Sequence, residues 1–476
     1  MTDHVQSPAQ GGRALIQGLD EQAVIDWLES RRWYASKSRH VTGLDIDECI
    51  ALADGPPLLL ALVEARFASG SHELYQLPLA LLDPAQVGAR ESIASTARWT
   101  AVDAVADPEL IRDLLRQIDA ELTLETDDGC FRFQRVELTG PLPLDAPIRP
   151  MGVEQSNSSV VFGDQTALKV FRKLEPGINP ELELLQFLTR QRFANIAPLQ
   201  GWYEYDGRAF QATLGVAQRF LPDAVGGWEM ALDQIATDPA GLIVELGGLG
   251  AVTAELHNAL ASDPGDPAFN PEEPSAEALS LLTATIDEDI ERIFGRLPDD
   301  ERVAAIAGRG QDVREHIAIR ASASSGGRSI RTHGDYHLGQ TLHSGGVGRA
   351  AGSSWVIIDF EGEPARPLFE RRQKRSPLRD VAGMLRSFAY AASAAAIMRQ
   401  APVPGQFEAR ARDAFLEQYF SHIDPALLPA GEAGIINLLS IFELEKAIYE
   451  LHYELENRPD WLPIPVAGIV RLLEDA

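Results

Sequence analysis

The stretch RTHGDYHLGQTL (residues 331–342), followed by SWVIIDFEGEPARP (354–367), sets His333, Asp335, His337 and Gln340 within eight positions and then Asp359, Glu361 and Glu363 behind an apolar run. A turn followed by a strand accounts for the pattern and no more. Phosphoryl transfer accounts for the residue types as well. It needs a carboxylate near the attacking hydroxyl, oxygen ligands for a divalent cation, a cation on the phosphates, and an acid to hold that cation. Protein kinases provide the first two as H-R-D-x-x-x-x-N followed by D-F-G. Here the order is His333-Gly334-Asp335, four residues, Gln340, and then Asp359-Phe360-Glu361. The five-position step from Asp to amide is the same, and WVIID reads as a strand folding both acids toward one cleft.

The remaining two groups are expected upstream. TALKVFRKL offers Lys169 on an alternating strand, and NPELELLQ offers Glu181 and Glu183 on the helix after it. A strand lysine paired with a helix glutamate is the kinase arrangement. QSNSSVVFG lacks a G-x-G-x-x-G pattern. Its small polar residues Ser156, Asn157, Ser158 and Ser159 let backbone N–H groups approach phosphates instead. Each element alone is weak: a strand lysine is usually a solvated face, an Asp after Gly usually a turn residue. His333 and His337 read as loop-stabilising residues, because Mg²⁺ prefers oxygen and a zinc site would need a third His or Cys at a recognisable spacing. The joint order carries the argument.

The rest of the chain agrees. It has 476 residues, 45% of them hydrophobic and 24% charged, enough for two to four structural units. Lys plus Arg total 42 against 70 Asp plus Glu, a net charge of −28, which disfavours nucleic acid and anionic membrane as partners. ATP is not excluded, since a local Lys, Mg²⁺ and backbone N–H groups suffice. The only cysteines, Cys49 and Cys130, lie far apart and fit neither a disulfide framework nor a zinc site. The N-terminus has no basic stretch followed by an apolar one. SFAYAASAAAIM, about a dozen residues, reads as too short to span a bilayer. A cytoplasmic monomer is expected.

TGPLPLDAPIRPMG (139–152), with four prolines and two glycines, is the clearest linker. Strand signals precede and follow it, and from about residue 228 the chain reads as mostly helical. The expected class is α+β: an N-terminal cap and intermediate region over 13–140, a strand-rich nucleotide-binding lobe over 141–223, and a helical lobe over 224–476.

HGDYHLGQ, IDFEGEPARP and SPLRDVAGMLRSFAYAA resemble the actinobacterial maltokinase group of the aminoglycoside-phosphotransferase-like kinases. RRWYASKSR, EQSNSSVVFGD, LKVFRKLEPGINPELE and KAIYELHYELENRPDWLPIP are similar as well, so the resemblance runs from about residue 20 to 472. It implies a bilobal kinase with an N-terminal cap, dependent on ATP and Mg²⁺, with a sugar hydroxyl as acceptor. Residue by residue, it implies Asp335 as catalytic base and Gln340 and Asp359, joined by Glu361, as metal ligands. It implies Lys169 on the phosphates with Glu183 as its partner, and QRFLPDAVGGW, with Gln218, Phe220 and Asp223, as the hinge that meets adenine.

The sequence departs from the maltokinase pattern at Tyr336, where Leu is usual, and at YELENRP, where a basic or His-containing stretch is usual. At both points the sister group of glucosamine kinases is more similar. Glucosamine is a cation near neutral pH. Glu450 and Glu454, one helical turn apart, together with Asp335, form the expected ammonium site. Trp461 is expected to stack on the sugar, and Tyr336, His337 and Asn457 complete the acceptor set. The expected activity is therefore glucosamine kinase, forming the 6-phosphate. The alternatives are a maltokinase making maltose 1-phosphate for α-glucan synthesis, an aminoglycoside phosphotransferase, and a catalytically dead kinase-like module.

Overall fold

A computed structural model describes residues 8–16, 18–34, 36–54, 57–152, 157–322, 326–344, 355–364 and 366–474. The chain divides into two compact units, one of residues 1–186 and 197–222, the other of residues 187–196 and 223–476.

The first unit holds two antiparallel sheets. The N-terminal sheet runs Val41–Asp54, Pro57–Phe67, His72–Leu82, Thr100–Asp103, Ser92–Ser95, with the short strand Lys173–Leu174 added on His72–Leu82. Leu59, Ala61 and Val63 alternate onto a core shared with Trp27, Leu28, Trp33 and Tyr75. The helix Glu21–Ser30 covers it, started by Asp20, whose carboxylate accepts from the N–H groups of Gln22 and Ala23. The second sheet has seven strands in the order Thr123–Glu125, Gly129–Arg135, Leu199–Gly207, Gln211–Arg219, Thr166–Phe171, Asn157–Phe162, Ile148–Pro150. A boundary at 140/141 thus cuts across this sheet. The proline-rich stretch itself carries the sheet's end strand Ile148–Pro150, and the strand Gly129–Arg135 before it pairs with Leu199–Gly207 beyond it.

Gln76 joins the two sheets. It is fully buried, donates to the carbonyls of Phe171 and Leu214 at 2.8 and 2.7 Å, and accepts from the Tyr203 hydroxyl at 2.9 Å. Arg172 adds a buried ion pair to Asp103 at 2.7 Å. Burying these polar groups is tolerable only because they are paired, so the cap and the nucleotide-side sheet are built as one body.

The second unit is helical apart from a three-stranded sheet, Ala224–Gly226, Thr341–Ser344, Trp355–Ile357. Its core gathers Ile286, Ile290, Val313, Leu444, Ile448 and Ile469 from four helices. Two helices, Pro239–Leu260 and Leu378–Arg399, are long and apolar enough by length and composition to cross a membrane, with 56% and 61% of their most apolar windows buried inside the fold. SFAYAASAAAIM is the C-terminal half of the second, a 22-residue helix rather than a dozen-residue segment. Burial of Val381, Leu385, Phe388 and Ala391 goes with its apolarity, while Ile397 and Met398 at its end are exposed.

Candidate active site

In the first unit, the strand Thr166–Phe171 turns Leu168 and Val170 into the core and Lys169 to the other face. The Lys169 Nζ lies 3.0 Å from Glu181 Oε2, with side-chain exposures of 15% and 2%. The pairing acid is therefore Glu181, where the sequence reading chose Glu183. Helical side chains lean toward the N-terminus, and Glu181, next to the first residue of the helix Pro180–Arg190, is the one driven into the interior. Replacing Lys169 by Met should lower kcat/KM for ATP about ten- to a hundredfold, the scale of a hydrogen bond to a charged group. Glu181→Gln should follow it, with Glu183→Gln the mildest of the three in steady-state assays. An effect of Glu183→Gln equal to that of Glu181→Gln contradicts the pairing.

The other nucleotide-side expectations separate. Ser156 lies outside the described residues. Asn157 is buried at the start of the strand Asn157–Phe162, paired with Phe171. The Ser158 hydroxyl accepts from Arg172 Nε at 2.9 Å, so its side chain braces a buried guanidinium instead of a phosphate. Gln218 donates to the Ala197 carbonyl at 3.0 Å, and the Phe220 ring lies under Arg149. Asp223 opens the second unit in a left-handed conformation, φ 63°.

In the second unit the 331–340 loop is fixed from beneath. Asp380, on the helix Leu378–Arg399, is 2% exposed and accepts the backbone N–H of His333 at 2.7 Å and of Gly334 at 3.0 Å, with His257 Nε2 3.3 Å away. Burial pushes the Asp380 carboxyl up, but His257, the His333 charge and the Gly334 N–H outweigh it and hold it below the usual range. Gly383 lets the helix approach: a Cβ there would stand 2.6 Å from the Tyr336 carbonyl. Gly334 takes φ 87°, which only glycine adopts freely, and so turns the chain toward Asp335. His333 Nε2 lies 2.9 Å from the Ile358 carbonyl and its ring packs on Phe360, which ties the Asp335 loop to the end of the strand Trp355–Ile357.

Past that strand, Asp359 sits at φ 65°, an uncommon conformation for a residue with a side chain. Gln340 Nε2 is 3.0 Å from Asp359 Oδ2. Gln340, Asp359 and Glu361 together offer an amide and two carboxylates, a donor set of hard oxygens suited to Mg²⁺.

Asp335 stands 3.4 Å from Lys446 Nζ and 3.7 Å from His337 Nε2. Burial pushes its carboxyl up. The nearby His337 imidazole and the charges of Lys446 and His333 overcome that and hold Asp335 well below the usual carboxylate range. A cleft opens at Asp335, lined also by Glu363, Glu445, Arg366, Arg379 and Tyr449. Arg366 pairs with Glu363 at 2.6 Å, and Arg379 pairs with Glu445 at 2.9 Å.

The expected acceptor residues fare differently. Asp335 and His337 are together. Tyr336 is 2% exposed, its hydroxyl 2.9 Å from Thr253, so it serves the core beneath the loop. Glu450 is held by Arg386 Nη2 at 2.6 Å and Nε at 3.0 Å. Glu454 bonds Arg458 at 2.9 and 3.0 Å and accepts from the Tyr390 hydroxyl at 3.3 Å. Asn457 bonds the Tyr453 carbonyl in the last helical turn, and Trp461 stacks on Tyr390 beneath Arg458. Among the described residues these last four do not line the cleft at Asp335. The spacing of Glu450 and Glu454 was read correctly as one helix face, but that face is internal. Lys446 was missed: its signal is a lone lysine in a helix otherwise acidic at Glu443, Glu445, Glu450 and Glu454. Asp380 was missed because its work is done through backbone bonds.

The architecture is α+β, a protein-kinase-like fold with an N-terminal cap, and the comparisons agree with it. Residues 27–107 match the family model of the maltokinase N-terminal cap domain. The chain superimposes on glucosamine kinase in complex with glucosamine, ADP and inorganic phosphate with a TM-score of 0.67 at 21% identity, over 95% of this chain and 99% of that one. A second crystal form of glucosamine kinase gives a TM-score of 0.69 at 19% identity, over 95% and 99%. In sequence, the chain is 28% identical over 340 residues to a glucosamine kinase of Mycolicibacterium smegmatis, covering 69% of this chain and 80% of the relative. It is 27% identical over 366 residues to one of Streptacidiphilus jiangxiensis, covering 74% and 78%.

Proposed function

We propose that the chain is an ATP- and Mg²⁺-dependent sugar kinase whose acceptor is glucosamine, phosphorylated on its primary 6-hydroxyl. The carrying observation is Asp335: an ionised carboxylate at the mouth of a polar cleft, on a loop braced by Asp380 and joined through His333 to the Gln340–Asp359 pair. The curated relatives named glucosamine kinase, matched over more than two thirds of the chain, support the acceptor.

In this reading Asp335 accepts a hydrogen bond from the acceptor hydroxyl, aims its oxygen at the phosphoryl group and takes its proton as the new O–P bond forms. Lys169, set by Glu181, offsets phosphate charge. Gln340, Asp359 and Glu361 would hold Mg²⁺, which would supply positive charge against that developing on the phosphates. The acids lining the cleft are Asp289, Asp335, Glu363, Asp380 and Glu445, and the cations are Lys446, Arg366 and Arg379. The acids outnumber the cations, so an ammonium on the acceptor is favoured there and gains a charge-assisted hydrogen bond from a carboxylate. The Glu450–Glu454 clamp has no part in it. The maltokinase reading retains one specific support, the cap domain at 27–107. Phosphorus NMR of the product formed from ATP and glucosamine tests the proposal: a monoester on C6 is expected, and a 1-phosphate from maltose with none from glucosamine overturns it.

Asp335 also predicts a pH dependence. Its carboxyl already lies below the usual range, so it stays ionised as the pH falls toward 4, and the acid limb of kcat/KM should not report an ordinary carboxylate near pH 4. In Lys446→Met, burial still pushes the carboxyl up while one opposing charge is gone. The acid limb should then move to higher pH. Identical limbs in the two proteins contradict the coupling.

A further inference from the structure

Beside the acceptor cleft, and sharing Arg379 and Phe442 with it, lies an open cavity of about 650 Å³. Its lining includes the apolar side chains of Leu279, Leu282, Leu438 and Phe442. It also presents Arg328, Lys374, Arg375 and Arg379 against the single acid Glu273. Three of these cations are answered: Arg328 by Glu273 at 3.4 Å, Arg379 by Glu445 at 2.9 Å, and Lys374 by Glu272. Arg375 is not. It is half-buried, its Nη2 donates to the neutral Gln373 amide at 2.8 Å, and among the described residues it forms no ion pair with a carboxylate. Its own backbone is pinned to Ile330 by bonds of 2.9 and 2.8 Å in both directions, so the guanidinium is presented on a fixed strand-like segment. Burial and the neighbouring Arg379 and Arg366 charges press its proton affinity down, against the opposing pull of Glu445 and Glu370.

A planar guanidinium with open donors, in a cavity that also holds a second one and apolar side chains, matches an anion attached to an apolar body. We propose that this cavity is an effector site for a small amphipathic organic anion, a phosphate monoester or carboxylate on an apolar group, with Arg375 as its anchor. The site is coupled to the acceptor cleft through Arg379. An anion that draws Arg379 away from Glu445 leaves that cleft carboxylate with only the 3.7 Å approach of Arg366 and changes acceptor binding.

The full-length protein is titrated calorimetrically with phenyl phosphate, inorganic phosphate and benzyl alcohol, each with the nucleotide site saturated by a non-hydrolysable ATP analogue. Phenyl phosphate should bind one site per chain, about tenfold more tightly than inorganic phosphate, while benzyl alcohol should not bind measurably. Arg375→Gln should weaken phenyl phosphate binding about tenfold or more, and Ala278→Trp, which fills the cavity from the helix Ala276–Phe294, should abolish it. Both variants should retain basal turnover, and phenyl phosphate should shift the acceptor KM in the wild type only. Four results overturn the proposal: no saturable binding, loss of binding when the analogue is present, equal affinity in the wild type and both variants, or an unmoved acceptor KM.

Discussion

Asp335→Asn should lower kcat by about 10²–10⁴-fold, the range for a positioned acid–base group, with ATP affinity and folding nearly unchanged. The substitution keeps the shape and one acceptor oxygen but removes the charge that aims and deprotonates the hydroxyl. It also leaves Lys446, 3.4 Å away, facing an amide. The loop does not depend on the Asp335 side chain for its position. That comes from Asp380, from His333 bound to the Ile358 carbonyl, and from Ser387 accepting the Leu338 N–H at 3.2 Å. Melting temperature and nucleotide titration should therefore match the wild type while turnover collapses. Near wild-type turnover would remove Asp335 from the chemistry.

Glu450→Gln should act on folding rather than on acceptor choice. Arg386 is 1% exposed in its side chain and has Glu450 as its ion-pair partner, while its Nη1 already lacks a hydrogen bond. Breaking such a pair from one side costs about 3–5 kcal/mol, because the remaining charge stays buried. Denaturant unfolding should show that loss. The residual enzyme should treat glucosamine and glucose in the wild-type ratio, since Glu450 does not face the cleft. A variant of full stability that discriminates against glucosamine would restore Glu450 to the acceptor site.

The placement of Asp335, Gln340, Asp359 and Lys169 on their loops and strands was legible because their spacing is set by local geometry. The five-residue step from Asp335 to Gln340 and the strand before Asp359 each lie within one loop–strand unit. Lys169 was legible from strand alternation. What failed was the choice among like residues on one element. Glu181 and Glu183 differ only in which one the helix start turns inward. The acidic helix Glu432–Asn457 looks like a solvated or ligand-binding face until its partners are known. Glu443 meets Arg412 and Arg471, Glu450 meets Arg386, and Glu454 meets Arg458. Of those partners only Arg458 lies near in sequence, so the internal ladder has almost no local signature. Lys446 and Asp380 escaped for the same reason, since each gains its role from a residue dozens of positions away. The cap and the second sheet were likewise separated at a loop that composition marks, although Gln76 and Arg172 weld them in space.

The central claim is tested most directly by ranking kcat/KM for glucosamine, glucose, N-acetylglucosamine, maltose and an aminoglycoside at fixed ATP and Mg²⁺. The account predicts glucosamine first, with glucose weaker by about the tenfold or more expected for a lost charge-assisted hydrogen bond. Maltose as the best acceptor, or equal rates for glucosamine and glucose, would contradict it.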